Sequence, residues 1–303
     1  MIKAGIIGGS GYTGGELIRI LLQHPAVEIN FIFSTTKAGA PITQAHPDLL
    51  GITDLIFTST VNTMVDVVFL CLGHGNSTKF LNDHAFSDNT KIIDLSNDFR
   101  LQANANYKGK QFVYGLPELQ KNAIENANYI ANPGCFATAI QLAILPLANA
   151  KKATNTIHIN AVTGSTGAGV RPSNTTHFSW RNNNTSWYKP FTHQHLDEIN
   201  ESLNSLQPNV GDLLFLPNRG DFPRGIFATT YTQFDGNLEE AKALYQQYYA
   251  NAAFTQVAEE PLHLKQVVNT NQCHIHIHKH QNTLLITSAM DNLLKGASGQ
   301  AVQ

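Results

Sequence analysis

Cys135 stands in the run Asn132-Pro133-Gly134-Cys135-Phe136-Ala137-Thr138-Ala139, directly after a Pro-Gly turn and at the start of an apolar stretch that predicts a helix to about residue 147. A thiol at a helix N-terminus is aimed by a stiff turn and faces the positive end of the helix dipole, and both properties favour a thiolate nucleophile. Cys71, inside Val67-Val68-Phe69-Leu70-Cys71-Leu72, reads as an inert core side chain, and Cys273 as structural.

A second chemical signal is Gly8-Gly9-Ser10-Gly11-Tyr12-Thr13-Gly14, which follows an apolar run and opens an amphipathic one. Strand, glycine-rich turn and helix in that order make a dinucleotide site. Gly8 permits the tight turn, Gly11 lets the backbone approach a diphosphate, the amides at the helix start hold it, and Gly14 lets helix and strand pack closely. The second predicted strand runs into Ser34, Thr35, Thr36 and Lys37, with no Asp or Glu where an NAD site carries one for the ribose 2′-hydroxyl. Hydroxyls and a cation there fit a 2′-phosphate, so the expected cofactor is NADP(H).

The elements that must carry these groups change character along the chain. In the first half short apolar runs at 2–7, 29–34, 65–72 and 92–95 alternate with amphipathic stretches such as 14–23, which predicts a Rossmann-type, doubly wound α/β domain. From residue 156 candidate strands at 157–162, 213–217, 226–233, 274–280 and 283–288 follow with fewer helices between them, which predicts an α+β domain with an antiparallel-rich sheet. The expected division is a nucleotide domain over 1–131, completed by a C-terminal helix within 291–303, and a catalytic and oligomerisation domain over 132–290. Residues 174–190, with Asn182, Asn183 and Asn184, read as a long polar loop beside a functional site.

With 303 residues and 42% hydrophobic content, two such cores are affordable. A net charge of −2 without a dense Lys/Arg block leaves no footprint for nucleic acid or an anionic membrane, and points to a small-molecule ligand. No apolar run approaches the ~20 residues that span a bilayer. The chain opens directly into a strand, and its three distant cysteines suit a reducing compartment, so a cytoplasmic protein is expected.

The Asn-Pro-Gly-Cys motif, the Gly-Ser-Gly-Tyr-Thr-Gly loop, Ile93-Asp94-Leu95-Ser96-Asn97-Asp98-Phe99-Arg100-Leu101 and Asp291-Asn292-Leu293-Leu294-Lys295-Gly296-Ala297-Ser298-Gly299-Gln300 together resemble the N-acetyl-gamma-glutamyl-phosphate reductase family over nearly the whole chain. The resemblance implies an architecture shared with aspartate-semialdehyde dehydrogenase and glyceraldehyde-phosphate dehydrogenase. It implies reduction of an N-acyl-gamma-glutamyl phosphate, the acetyl compound first, to the semialdehyde and phosphate through a cysteine thioester in arginine biosynthesis, by a homo-oligomer, a tetramer or dimer. Phe191-Thr192-His193-Gln194-His195-Leu196-Asp197-Glu198-Ile199 is similar to the family's His-x-His segment, with Asp197 where the family carries Pro. The resemblance therefore implicates His193 and His195 as acid/base candidates. Histidine titrates near neutrality, as a thiohemiacetal intermediate requires, and His193 is preferred although spacing leaves the choice open. Glu198 is implied as an orienting or substrate-binding carboxylate.

The same resemblance places Arg100 at the substrate phosphate, with Ser96 in the same loop. It brings Gly164 and Ser165 of a glycine-rich loop to the nicotinamide or the substrate, and Asn292 and Gln300 to the nicotinamide side. Asn132 is a candidate oxyanion donor beside the Cys135 amide. A region of Pro and Arg near the substrate matches Pro217, Arg219 and Arg224 more loosely. The alternating His274, His276, His278 and His280 read as the polar face of a half-exposed strand, and no metal is expected. Two rivals are an aspartate-semialdehyde dehydrogenase, whose substrate is one methylene shorter, and an NADP-binding sensor without catalysis.

Overall fold

The computed structural model describes residues 1–303, which divide into two compact units, Met1–Pro133 with Ala297–Gln303, and Gly134–Gly296. In the first unit the apolar runs become strands because each is buried on both faces of a sheet. Its elements are β1 (Ile2–Ile7), α1 (Tyr12–Leu22), β2 (Val27–Phe33), β3 (Val67–Leu70), α2 (Ser77–Asp83), β4 (Lys91–Asp94), a small hairpin of β5 (Asn106–Tyr107) and β6 (Lys110–Gln111), then β7 (Val113–Tyr114), α3 (Pro117–Glu125) and β8 (Tyr129–Ala131). The sheet order is β2-β1-β3-β4-β8-β7, and every pair is parallel.

Neighbouring residues of one strand feed opposite cores. Ile6, Ile32, Phe69 and Ile93 pack with Leu17 and Ile18 of α1, while Ile7, Phe33, Leu70 and Ile92 pack with Phe80 and Leu81 of α2. β1 lies between β2 and β3, so the loop after it opens at the point where strand order reverses, the place where doubly wound sheets bind ligands. A closing helical turn, Gly299–Val302, belongs to this unit and is anchored to the glycine loop by Ser298 Oγ, which donates to Thr13 O at 2.8 Å.

The second unit begins with α4 (Cys135–Asn149), whose residues from Phe136 to Ala148 are all buried. Such an all-round apolar helix belongs in a core. Pro146 within it removes the donor that Leu142 O would otherwise receive, and the Tyr249 hydroxyl replaces it. After α4 come β9 (Ile157–Thr163), α5 (Phe178–Arg181), β10 (Ser186–Trp187), α6 (His195–Leu206), β11 (Leu213–Arg219), β12 (Ile226–Gln233), α7 (Leu238–Tyr248), β13 (Thr255–Ala258), β14 (Cys273–His280) and β15 (Thr283–Met290). Their strands form one mixed sheet, β10-β11-β9-β12-β15-β14-β13, in which only β11/β9 and β13/β14 are parallel.

The polar stretch 174–190 is not structureless. The buried Arg181 side chain donates to the carbonyls of Thr175, Asn184 and Arg219 and to Ser186 Oγ, which folds the segment into α5 and β10 against the end of β11. On β14 the inward Cys273, Ile275 and Ile277 are buried, whereas His278 and His280 are exposed and His276 Nδ1 lies 3.1 Å from Ala258 O.

Candidate active site

Gly134 is the N-cap of α4 and Cys135 its first residue, as the Pro-Gly turn dictates. The first turn of α4 itself carries no acidic residue. The turn is held from α6: Glu198, buried at 4% exposure, accepts the Gly134 N–H on Oε2 at 3.0 Å. The other carboxylate oxygen faces His195 Nε2 at 3.9 Å. A Cβ built on Gly134 would lie 2.4 Å from His195 Nε2 and 2.6 Å from its Cε1, so the imidazole is packed against the residue that precedes the thiol. From another side a Cβ on Gly296 would lie 2.9 Å from Cys135 Cβ.

The two histidines have different environments. His193 precedes α6, and its Nδ1 accepts the His195 N–H at 3.2 Å, which satisfies an orphan amide at the helix start and leaves the imidazole proton on Nε2. Phe136, Phe215 and Tyr188 surround its ring at centroid distances of 5.5, 5.5 and 5.8 Å. Burial, then His195 and Lys189, push its pKa down to about 3, so it is neutral at physiological pH. His195 starts α6 itself, and Asp197 and Glu198 share its first turn, where carboxylates suit the helix dipole. The helix therefore begins without the proline of the resembling segment.

Two residues of this cluster carried little or no weight in the sequence. Tyr188 sits in the polar stretch 174–190, yet its amide is bonded to Pro217 O at 3.0 Å and its phenol is half-buried near Cys135; burial, then that thiol, push its pKa up to about 12. Arg219, at the end of β11, places its guanidinium 4.6 Å over the Tyr188 ring. The pairing of β10 with β11, visible only in the folded chain, delivers Tyr188 to the thiol and Arg219 to the Tyr188 ring.

The glycine loop has the form a dinucleotide needs. Gly8 has φ +84° and no room for a Cβ, which would meet Cys71 O at 2.6 Å. A Cβ on Gly14 would lie 2.6 Å from Gly9 Cα, so α1 starts tight against the loop. Ser10, Gly11 and Thr13 are partly exposed and Tyr12 exposed. Ser34 is buried, with its hydroxyl donating to Ser10 Oγ at 3.3 Å, whereas Thr35 and Thr36 are exposed and Lys37 half-buried. The residues present thus fit a dinucleotide diphosphate, and no carboxylate closes the end of β2. Cys71 lies beneath this loop, half-buried against the core around Ile6 and Phe69; burial pushes its pKa up to about 12, which leaves it a protonated thiol.

Several expected ligand residues turn out to be engaged by the protein itself. Ser96 is fully buried, donating to Asp94 Oδ2 at 2.7 Å and accepting the Asp98 N–H at 3.1 Å. Arg100 is 7% exposed and donates to the carbonyls of Asn132 at 2.8 Å and Leu95 at 3.0 Å, which makes it a brace across the ends of β4 and β8. Asn132 Nδ2 donates to Ala297 O at 3.0 Å. Asn292 is spent on both ends: Oδ1 accepts the Gly225 N–H at 2.7 Å and Nδ2 donates to Thr166 Oγ1 at 3.0 Å. Gly164 and Ser165 are strapped to the loop 220–225 through Gly225 O and Phe222 O, and Gln300 is buried.

By unit, Gly8–Gly14, Ser34–Lys37, Ser96, Arg100, Asn132 and Gln300 belong to the first, and Cys135, Gly164, Ser165, His193, His195, Glu198 and Asn292 to the second. No three His, Cys, Asp or Glu side chains converge as a metal-binding group.

A nucleotide-type parallel sheet and a mixed-sheet unit whose central helix starts on a cysteine define a class of dehydrogenase, and the comparisons agree. Residues 3–127 match the family model described as semialdehyde dehydrogenase, NAD binding domain, and residues 135–292 the one described as semialdehyde dehydrogenase, dimerisation domain. The fold is that of aspartate semialdehyde dehydrogenase II from Vibrio cholerae in complex with ASA (TM-score 0.74, 15% identity, 100% of this chain and 96% of that one). It is equally that of the Candida albicans aspartate semialdehyde dehydrogenase with NADP (TM-score 0.73, 14% identity, 100% and 97%).

At the level of sequence, proteins named N-acetyl-gamma-glutamyl-phosphate reductase are far nearer. That of Flavobacterium johnsoniae is 60% identical over all of this chain and 94% of its own length, and that of Christiangramia forsetii 59% over the same shares. The chain belongs to the N-acetyl-gamma-glutamyl-phosphate reductases of the semialdehyde dehydrogenase family.

Proposed function

We propose that the chain reduces N-acetyl-gamma-glutamyl phosphate to N-acetyl-glutamate 5-semialdehyde and phosphate with NADPH, in arginine biosynthesis. The observation that carries this reading is the Cys135 turn, tethered by Glu198 and packed by His195 at the start of α4. The Cys135 thiolate attacks the acyl carbonyl; a C–S bond forms, the C–O bond breaks, and phosphate leaves with its electron pair. When bound, the dinucleotide supplies hydride to the thioester carbon. The backbone N–H of Cys135, at the positive end of α4, meets the resulting oxyanion. Collapse restores the carbonyl, breaks the C–S bond and returns the thiolate.

Over the cycle one proton ends on phosphate. His195, rather than the preferred His193, is the group we assign to carry it, because His193 is neutral, caged and committed to the His195 amide. His193 and Glu198 position it. Arg219 and Tyr188 are assigned to the anionic ends of the substrate, since Arg100 and Ser96 are committed elsewhere.

The amides of Ser10, Tyr12 and Thr13 take the diphosphate, which Gly11 lets approach the backbone, and Thr36 and Lys37 the 2′-phosphate that selects NADP over NAD. Gly164, Ser165 and Gln300 keep the nicotinamide role implied by the resemblance, while Asn292 ties Gly225 to Thr166. The dimerisation-domain match supports a homo-oligomer, a dimer or tetramer, and three cysteines that form no disulfide suit the cytoplasm.

The test is a spectrophotometric assay in the oxidative direction with NADP and phosphate against N-acetyl-glutamate, N-succinyl-glutamate and aspartate semialdehydes. Phosphate-dependent NADPH formation with the N-acetyl compound supports the proposal; turnover of aspartate semialdehyde alone would replace it.

A further inference from the structure

His46 takes no part in the chemistry above, yet it is buried at 6% exposure beneath the glycine loop. The chain reaches it through two short helical turns, Ile42–Gln44 and Pro47–Leu49, and the His46 N–H is itself bonded to Ile42 O at 2.9 Å. The ring is closely confined. A Cβ on Gly15 would lie 2.5 Å from His46 Cε1 and 2.7 Å from Nδ1, and Phe57 stands at a centroid distance of 6.4 Å. Its Nε2 lies 2.8 Å from Gly9 O, a carbonyl that can only accept, so Nε2 carries the proton.

The consequence follows from the planarity of the peptide group. Gly9 C=O and Ser10 N–H belong to one trans peptide plane and point in opposite directions. Fixing the carbonyl from below therefore aims the Ser10 N–H out of the opposite side of the loop. The neighbouring amides of Gly8 and Gly9 are both consumed by Phe33 O, at 3.0 and 3.1 Å, and that of Gly11 by Gly8 O at 3.3 Å, whereas the Ser10 amide donates to no acceptor of the chain.

We infer that His46 is a positioning residue for the dinucleotide: by donating from Nε2 to the Gly9 carbonyl it orients the Ser10 amide toward the diphosphate. This rests on reading the glycine loop as a diphosphate cradle. Arg19, Glu16 and Asp48, linked to one another by hydrogen bonds of 2.7–3.2 Å on the same side of α1, keep the segment that carries His46 in place.

The experiment titrates the full-length protein with NADPH, following nucleotide fluorescence, and measures steady-state kinetics and melting temperature for three variants. His46→Phe keeps a ring but removes the donor, and His46→Gln restores an N–H at the position of Nε2. Gly11→Asp, where a Cβ meets nothing nearer than Gly8 O at 3.8 Å, puts a carboxylate against the diphosphate. His46→Phe is expected to weaken NADPH binding about tenfold, the worth of one hydrogen bond, with kcat at saturating NADPH and the KM of the acyl phosphate unchanged. His46→Gln is expected to recover most of that loss.

Equal NADPH affinity in His46→Phe and the unaltered protein, or equal impairment in His46→Gln and His46→Phe, would overturn the role of His46 while Gly11→Asp still abolished binding. If Gly11→Asp bound NADPH as well as the unaltered protein, the cradle reading itself would fall, and the role of His46 with it.

Discussion

Glu198 Oε2 accepts the Gly134 N–H at 3.0 Å, so a carboxylate of α6 holds the backbone one residue before the nucleophile. Its second oxygen stands 3.9 Å from His195 Nε2. One buried side chain thereby sets the mutual position of the turn before the thiol and the imidazole.

Removing that contact should cost both stability and rate. Glu198→Ala leaves a buried amide without its acceptor and is expected to destabilise the fold by about 1–3 kcal/mol, whereas Glu198→Gln keeps an oxygen there and should lose less. Thermal unfolding of the two variants, alongside kcat, checks this order; an alanine variant as stable as the glutamine one would contradict it.

Gly134→Ala probes the same geometry from the backbone. The added methyl would fall 2.4 Å from His195 Nε2, so the ring must move. A displacement of about 1 Å in a catalytic constellation costs on the order of 100-fold in rate. We expect kcat to fall by roughly that factor while the Kd for NADPH is unchanged; a fully active alanine variant would separate His195 from the chemistry.

The buried neutral His193 makes stability depend on pH. Its folded-state pKa of about 3 lies below the ordinary histidine value of 6.5, so between those values the unfolded chain binds more protons. Its contribution is complete above pH 6.5 and is lost as pH falls toward 3, with a slope of at most ~1.4 kcal/mol per pH unit. Urea unfolding at pH 7.5, 6 and 5 should show a shallower decline for His193→Phe than for the unaltered chain. Parallel declines would show that the ring is not held neutral.

The sites most legible in the sequence are those whose function is set by the local chain. The strand–glycine loop–helix around Gly8–Gly14 and the Pro-Gly turn before Cys135 need only their own residues to take shape, and the structure reproduces both. Arg100, Ser96 and Asn292 read as ligand residues through the family resemblance, but their partners in the folded chain are carbonyls, carboxylates and amides brought near only by folding. Tyr188 shows the converse: composition marks 174–190 as loop, and only the Arg181 hydrogen bonds and the pairing of β10 with β11 bring its phenol to the thiol.

Asp291 offers a test of that hidden scaffolding. Fully buried, it pairs with Arg224 through contacts of 3.0 and 3.2 Å and accepts the amides of Asn269, Leu293 and Leu294. Breaking a buried pair on one side typically costs about 3–5 kcal/mol. Asp291→Ala is therefore expected to lower the unfolding free energy by that order, measured by denaturant titration, and a change under about 1 kcal/mol would mean that the pair is dispensable.

Cofactor choice is checked at the end of β2. Lys37→Glu sets a carboxylate where the 2′-phosphate is assigned, and should raise the KM for NADPH at least about tenfold while sparing NADH. An unchanged NADPH/NADH ratio would move the 2′-phosphate away from Lys37.

The central claim is that Cys135 carries the acyl group. It is tested most directly by mixing the protein with N-acetyl-gamma-glutamyl phosphate in the absence of NADPH, quenching in acid and weighing the Cys135 peptide. The account predicts one phosphate released per active site and an N-acetyl-glutamyl thioester on Cys135, both lost in Cys135→Ala. Phosphate release and reduction that proceed with Cys135 unmodified, or that survive in Cys135→Ala, would contradict it.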